Sequence, residues 1–190
     1  MRFHIDSRYL NDDVVVLGTS VFQDERGFFT ESFRADYFAA LGLPTEYPQD
    51  SHTHSRAGVI RGLHFQHSPP MGKVTRVTSG AAFFVALDIR KDSPAFGKWA
   101  GLEVSAENKK QMYTPPGFAF GYCVLADDTE VLYKCTSIYD PKAEGAIRYN
   151  DPDVGIQWPN GHKWIVSQKD QNAPTLKEWL QLPIAATLRV

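Results

Sequence analysis

Residues Gly58–Gly80 read GVIRGLHFQHSPPMGKVTRVTSG, and residues Tyr113–Val124 read YTPPGFAFGYCV. In both stretches, short runs of β-branched and aromatic residues lie between glycines and prolines, which predicts short strands joined by tight turns. Similar runs continue in both directions along the chain, so the sequence predicts a mainly β protein, a sandwich or a barrel. The predicted strands are Val14–Leu17, Phe28–Phe33, Val59–Phe65, Val74–Val77, Ala81–Ile89, Ala100–Val104, Gln111–Thr114, Tyr122–Leu125 and Val131–Tyr139.

The last of these strands has a mixed pattern. Alternate residues of a strand share one face, and in Val131–Tyr139 neither face is purely apolar. This pattern is typical of a strand that lines a polar cavity. One predicted face carries Val131, Tyr133, Cys135 and Ser137, and the other carries Leu132, Lys134, Thr136 and Ile138.

Two short helices are predicted, Ala35–Leu41 and Thr175–Leu182. The second begins with a capping box and continues as an apolar stripe, so we expect it to pack on the outside of the β structure. The capping box consists of Thr175 and Glu178, and the stripe of Leu176, Trp179 and Leu180.

Length and composition predict one soluble domain over residues 1–190. The formal net charge is −2, and the absence of a basic excess argues against a nucleic-acid or membrane surface. The amino terminus lacks the apolar segment of a signal peptide, and the longest apolar run, Ala81–Leu87, is too short to span a membrane. We therefore expect a cytoplasmic protein in which Cys123 and Cys135 are buried thiols.

The glycine and proline spacing of the two opening stretches resembles the two motifs of cupin barrels. Gly58 and His64 fit the first motif, but Gln66 stands where a second histidine ligand is usual and Lys73 lies near the position of the acidic ligand. In the second motif, Phe120 replaces the histidine. A stable metal site needs several convergent ligands. The resemblance thus predicts a cupin-type jelly-roll fold without a metal or other cofactor.

A metal-free cavity with these side chains suits proton transfer next to a ketone. Removing such a proton requires a base with a pKa near neutrality and a cation or donor for the enolate oxygen. His64 can act as the base and Lys73 can stabilise the enolate. Tyr133 can return a proton to the opposite face, which would invert the carbon.

Longer segments of the chain resemble the dTDP-4-dehydrorhamnose 3,5-epimerase family, roughly from Val21 to Asp170. The similarity rests on DERGFFTESF, QDSHTHSRAGVIRGLHFQ, GKVTRVTSG, LDIRKDSPAFGKW, SAENKKQMYTPPGFAFGY, VLYKCTSIYDPKAEGAIRYNDPDVGIQWP and SQKD. It implies an isomerase that acts on a dTDP-4-keto-6-deoxyhexose, and a homodimer in which the segment of Arg26 and Glu31 reaches the neighbouring subunit's site.

The resemblance also implies a role for each matching residue. His64 corresponds to the base, Asp170 to its partner carboxylate, Lys73 to the enolate stabiliser and Tyr133 to the proton donor. The implied diphosphate contacts are Arg26 and Arg61, the implied nucleotide contacts are Glu31, Gln49, Ser51, Glu144 and Lys169, and the implied aromatic near the base or sugar is Tyr139.

Two positions depart from the usual family pattern. The family usually has GFAHGF where this chain has GFAFGY, so Phe120 replaces a cavity histidine, and it usually has QDN where this chain has QDS, ending at Ser51. The first change removes a hydrogen-bonding group near the sugar or diphosphate. It leaves open whether both C3 and C5 are inverted.

The sequence therefore predicts epimerisation of dTDP-4-dehydro-6-deoxy-D-glucose toward dTDP-4-dehydro-β-L-rhamnose. A single-carbon epimerase acting on the same kind of sugar is the nearest alternative, and Phe120 is the feature that favours it. A ketoisomerase, a non-catalytic module that binds sugar nucleotides and a metal-dependent oxygenase are further alternatives. The joint presence of a base, an acid and a lysine argues against simple binding.

Overall fold

The computed structural model describes residues 2–159 and 163–188. In chain order its strands are β1 (Phe3–Tyr9), β2 (Val14–Thr19), β3 (Val21–Asp24), β4 (Gly27–Thr30), β5 (Gln49–Ser55), β6 (Val59–Gln66), β7 (Lys73–Ser79), β8 (Ala81–Asp88), β9 (Trp99–Ser105), β10 (Gln111–Thr114), β11 (Phe118–Val124), β12 (Thr129–Cys135), β13 (Glu144–Ala146) and β14 (Ile165–Val166). The helices are α1 (Ala35–Ala40), α2 (Gln168–Gln171), α3 (Leu176–Trp179) and a 3₁₀ helix, Pro183–Thr187.

Two sheets form the body of the molecule. The first has the order β1-β2-β10-β7-β12-β5, and the second has the order β13-β6-β11-β8-β9, with β14 pairing parallel to β6. Strands β3 and β4 form a separate hairpin. The sandwich predicted from the sequence is confirmed, and every predicted strand overlaps a strand of the structure.

Alternation along the strands divides the apolar residues among three layers. Between the sheets lies one cluster, which includes Phe84, Met112 and Val131. Outside the first sheet, Phe38 of α1 covers a second cluster. Outside the second sheet, the chain around Trp179 covers a third. The cavity described below borders the cluster between the sheets, and Phe120 and Tyr122 belong to both.

Two predicted strands end earlier than expected. The strand predicted over Val131–Tyr139 stops at Cys135, and two side chains bond to the backbone beyond it. Gln66 binds the Ile138 carbonyl oxygen and the Asp140 amide, and Gln49 accepts from the Tyr139 amide. The strand predicted over Phe28–Phe33 stops at Thr30. There the chain turns toward α1, and the Phe33 ring packs edge-on against Phe38 with 4.9 Å between centroids.

The helix predicted over Thr175–Leu182 is shorter than expected. Its capping box is present, with Thr175 as the N-cap, but the α-helix ends at Trp179 and the chain continues into the 3₁₀ helix that begins at Pro183. Proline has no N–H to continue the hydrogen-bond ladder of an α-helix. The Trp179 ring packs edge-on against Phe65 at 4.9 Å, so the predicted position outside the sheet is confirmed.

Both cysteines, Cys123 and Cys135, are buried and free, as predicted. No helix within residues 2–159 and 163–188 has the length and apolar character needed to cross a membrane.

Candidate functional site

A cavity of about 530 Å³ opens between the two sheets. Seven residues predicted to act in the site line it, and they come from both sheets and from the chain around α2. These residues are Arg61, His64, Lys73, Phe120, Tyr133, Lys169 and Asp170.

His64 and Asp170 form the central polar contact of the cavity. His64 Nε2 lies 2.7 Å from Asp170 Oδ1. Because the ionised carboxylate only accepts hydrogen bonds, Nε2 of the neutral imidazole carries the hydrogen and Nδ1 keeps a lone pair. Nδ1 has no hydrogen-bond partner in the described part of the chain. This arrangement leaves one imidazole nitrogen able to accept a proton.

The short helix α2 holds Asp170 in place. Its N-cap, Ser167, accepts a hydrogen bond from the Asp170 amide at 3.1 Å, and the Gly62 amide donates to Asp170 Oδ2 at 3.4 Å. Burial alone would raise the pKa of the Asp170 carboxyl. The hydrogen bond and charge of His64, with the Gly62 and Ser167 contacts, outweigh burial and hold this pKa below its usual value. Asp170 is therefore an ionised partner for the imidazole.

A close approach of β6 and β11 fixes the backbone beside His64. Gly62 has a φ of +113°, and a Cβ at this position would lie 2.7 Å from both Gly121 Cα and the Phe120 carbonyl oxygen. A Cβ on Gly121 would lie 2.8 Å from the Arg61 carbonyl oxygen. Only glycine fits at both positions, so a glycine pair sets the strand spacing next to the proposed base.

Lys73 lies at the cavity wall between two aromatic rings. Its Nζ is 5.8 Å from the centroid of Phe120 and 5.8 Å from that of Tyr133. Burial lowers the pKa of the Lys73 ammonium, and the Glu144 carboxylate offsets part of this effect. Across residues 2–159 and 163–188, Nζ has neither a hydrogen-bond acceptor nor an ion-pair partner. Its N–H groups are available to a negatively charged oxygen in the cavity.

Tyr133 lies on β12 of the first sheet, whereas His64 lies on β6 of the second. The two residues line the same cavity from opposite sheets. Burial raises the pKa of the Tyr133 hydroxyl, and a hydrogen bond with Ser51 offsets part of the shift. Tyr133 is therefore protonated at neutral pH and can donate a proton.

Five of the residues predicted to contact the nucleotide or the sugar form a connected rim beside the cavity. Lys169 Nζ lies 2.6 Å from Glu144 Oε2, and the Tyr139 hydroxyl donates to the same oxygen at 2.7 Å. Gln49 Oε1 accepts from the Tyr139 amide at 2.7 Å, and Gln49 Nε2 donates to Ser51 at 3.2 Å. The structure thus brings these five residues together.

Gln66 fixes the loop that carries Tyr139. The buried Gln66 amide donates to the carbonyl oxygens of Pro69 at 2.9 Å and Ile138 at 3.1 Å, and its Oε1 accepts from the Asp140 amide at 2.8 Å. The cupin-like spacing identified Gln66 only as the residue that stands where a metal-binding histidine is usual. In this structure it is a structural clamp.

Arg26 and Glu31 lie outside this cavity. Arg26 is at the exposed turn of the β3–β4 hairpin, where its guanidinium pairs with Asp24. Glu31 pairs with Arg2 at 3.4 Å and Arg34 at 3.6 Å. The structure of one chain does not bring these two residues to the other site residues.

Tyr122 and Thr53 also line the cavity, although the sequence did not identify them as site residues. The Tyr122 hydroxyl and Thr53 Oγ1 are 2.8 Å apart. The only sequence signal for Tyr122 is the tyrosine in GFAFGY, where the family usually has phenylalanine.

Among the residues that the structure describes, no group of three or more His, Cys, Asp or Glu side chains could hold a metal ion.

Comparisons with known proteins show the family of this chain. The sequence model of the dTDP-4-dehydrorhamnose 3,5-epimerase family matches residues 10–178. The dTDP-4-dehydrorhamnose 3,5-epimerase of Salmonella typhimurium is 46% identical over 170 residues, which cover 88% of this chain and 93% of that protein. The dTDP-4-dehydrorhamnose 3-epimerase of Streptomyces niveus is 34% identical over 157 residues, which cover 82% of this chain and 75% of that protein.

A solved structure shows the same fold. The crystal structure of a dTDP-6-deoxy-D-glucose-3,5-epimerase from Legionella pneumophila, in complex with dTDP-4-keto-L-rhamnose, superposes with a TM-score of 0.91 and 40% identity, covering 98% of this chain and 97% of that one. The resemblance found in the sequence is confirmed. This chain belongs to the dTDP-4-dehydrorhamnose 3,5-epimerase family and is an isomerase of the epimerase type.

Proposed function

We propose that this protein inverts C3 and C5 of dTDP-4-dehydro-6-deoxy-D-glucose and so forms dTDP-4-dehydro-β-L-rhamnose. Both carbons are adjacent to the C4 ketone, so a proton on either one is acidified by the carbonyl group. The observation that carries the proposal is the hydrogen bond of His64 to Asp170, in a cavity that Lys73 and Tyr133 also line.

His64 is the proposed base. It removes the proton from the carbon next to the ketone, the C–H electron pair forms a carbon–carbon double bond, and the carbonyl π electrons move onto the C4 oxygen. The Asp170 carboxylate stabilises the imidazolium that results. The 2.7 Å contact and the lowered pKa of Asp170 support this role.

Lys73 is the proposed stabiliser of the enolate oxygen. An ammonium group whose N–H groups have no acceptor in the described structure can donate them to a developing oxyanion without giving up another bond. The aromatic rings of Phe120 and Tyr133 help to hold the cation at the wall.

Tyr133 is the proposed acid. It donates a proton to the carbon from the side opposite His64, the double bond returns its electrons to form the new C–H bond, and the ketone is restored. The positions of the two residues on facing sheets support inversion rather than return of the proton to the same face.

Arg61 and the rim residues are the proposed sites for the rest of the substrate. Arg61 is exposed. Within residues 2–159 and 163–188 its side chain hydrogen-bonds only to the neutral Ser55 hydroxyl, at 3.2 and 3.1 Å. The guanidinium therefore retains donors for a diphosphate. The nucleoside can bind to the aromatic face of Tyr139 and to the charged groups of Glu144 and Lys169.

Proton NMR of dTDP-4-dehydro-6-deoxy-D-glucose in D₂O tests the proposal. We expect deuterium to enter at both C3 and C5 with the wild-type protein and at neither carbon with His64→Ala. If no deuterium enters although dTDP binds, the protein is not an epimerase for this sugar.

The same experiment tests single-carbon epimerisation. Phe120 stands next to Lys73 where the family usually has a histidine, and this observation favours a change in how the sugar is held. Deuterium at one carbon only, with recovery of the second exchange in Phe120→His, would assign the restriction to this residue.

We also propose a homodimer in which each chain completes its partner's site. The β3–β4 hairpin belongs to neither main sheet and exposes apolar rings: Phe22 is 49% exposed, Phe28 58% and Phe29 59%. Large exposed apolar surfaces are typical of interaction sites. Contact with a second copy would bury these rings and bring Arg26 to a bound diphosphate.

Mixing two inactive variants tests this arrangement. Arg26→Ala and His64→Ala should each be inactive, but mixed dimers contain one site that receives an intact residue from each chain. Recovery of part of the activity after mixing and subunit exchange is expected. A protein that is monomeric by light scattering at assay concentration would contradict the proposal.

A further inference from the structure

Tyr122 and Phe120 are neighbours on one wall of the cavity. Their ring centroids are 6.1 Å apart on β11, and both residues line the cavity. Relative to the usual family pattern GFAHGF, this chain has lost a polar ring at Phe120 and gained a hydroxyl at Tyr122. The hydrogen-bonding group has therefore moved two residues along the same strand.

The hydrogen bonds of Thr53 favour one orientation of the Tyr122 hydroxyl. Thr53 Oγ1 lies 3.4 Å from the Val131 carbonyl oxygen, to which it can only donate, and 2.8 Å from the Tyr122 oxygen. While Thr53 donates to Val131, Tyr122 donates to Thr53. The tyrosine oxygen then keeps its lone pairs available as acceptors. Burial raises the pKa of Tyr122 to about 12, so this hydroxyl stays protonated at neutral pH.

Strand pairing indicates which part of the sugar lies near this acceptor. In the β6–β11 ladder, Phe120 is opposite His64 and Tyr122 is opposite Arg61. If Arg61 holds the diphosphate on C1 and His64 works at C3, the carbon between them is C2. A hydroxyl on C2 would then lie next to Tyr122.

We propose that Tyr122, oriented by Thr53, accepts a hydrogen bond from the 2-hydroxyl group of the hexose and so selects a 2-hydroxy sugar over a 2-deoxy sugar. This inference rests on the proposed epimerase function. A site that hydrogen-bonds a substrate hydroxyl discriminates against an analogue that lacks it, because the buried polar group is then left without its partner.

The test compares two substrates, dTDP-4-dehydro-6-deoxy-D-glucose and its 2-deoxy analogue. The measured quantity is the ratio of kcat/KM for deuterium exchange with the two substrates. The wild type should favour the 2-hydroxy sugar by about tenfold or more. In Tyr122→Phe, the ratio should fall toward one. Thr53→Val should lower the ratio in the same direction, because the tyrosine hydroxyl loses its acceptor.

Tyr113→Phe is the matched control. Tyr113 is another buried tyrosine, with a pKa also raised to about 12 by burial, but it lies on β10 and does not line the cavity. Its variant should keep the wild-type ratio. If deuterium exchange continues but the ratio stays at the wild-type value in both Tyr122→Phe and Thr53→Val, the inference is wrong. Loss of exchange with both substrates in the wild type would instead overturn the proposed function, and this inference with it.

Discussion

Asp170 Oδ1 lies 2.7 Å from Nε2 of His64, although the two residues are 106 positions apart in the chain. His64 belongs to a strand of the second sheet, and Asp170 belongs to a helix of four residues whose N-cap is Ser167. The contact joins the carboxyl-terminal part of the chain to the cavity. The proposed base therefore depends on a segment outside both sheets for its ionised partner.

Replacement of this carboxylate should reduce catalysis more than binding. In Asp170→Asn, the neutral amide cannot stabilise an imidazolium, so we expect kcat to fall by about 10²-fold to 10⁴-fold with little change in KM. Deuterium exchange kinetics measure both values. Asp153→Asn, which changes an exposed aspartate on the same part of the chain, should retain wild-type rates. Equal losses in the two variants would contradict the assignment.

Removal of the proposed acid should separate proton exchange from inversion. In Tyr133→Phe, His64 can still remove a proton and return deuterium to the same face of the carbon. We therefore expect continued deuterium uptake with retention of configuration and a loss of epimerised product. NMR coupling constants distinguish the two sugars. If inversion proceeds at the wild-type rate in this variant, another group supplies the proton.

The pH dependence of the exchange rate should show the ionisation of Lys73. Burial holds the pKa of Lys73 below its ordinary value of about 10.5, and catalysis requires the ammonium form. The rate should therefore fall as the pH rises through this lowered pKa. Lys73→Arg, which stays charged throughout, should be slower but should lack this alkaline decline. A decline at the same pH in both proteins would assign it to another group.

The glycine pair beside the base should be intolerant of side chains. In Gly62→Ala, the added Cβ would meet backbone atoms of Phe120 and Gly121 at 2.7 Å, so we expect destabilisation of about 2 kcal/mol or more. Gly42→Ala is the matched control, because Gly42 also has a positive φ, +75°, but has no neighbour within 4 Å of the added Cβ. Denaturant unfolding should show a clearly smaller loss for the control. Equal losses would mean that φ alone explains the requirement for glycine.

Several strands could not be predicted from the sequence. Strand β5, QDSHTHS, alternates between exposed and less exposed residues but contains almost no apolar side chains, so hydrophobic periodicity gives no signal there. It becomes a strand because it pairs with β12 along its whole length. The short strands β13 and β14 likewise owe their conformation to β6.

The sequence by itself determined the β architecture, the capping box at Thr175 and the set of side chains able to move a proton. Residue types, turn residues and the alternation of apolar and polar side chains act over short distances along the chain, so they can be recognised from the sequence alone. The family resemblance already implied that Asp170 partners His64, and the tertiary structure added the 2.7 Å distance between them. Only the tertiary structure decided that Gln66 holds the loop of Tyr139 and that Thr53 orients Tyr122. These contacts join distant positions, and their distances depend on how the two sheets and the carboxyl-terminal segments pack, which no local pattern specifies.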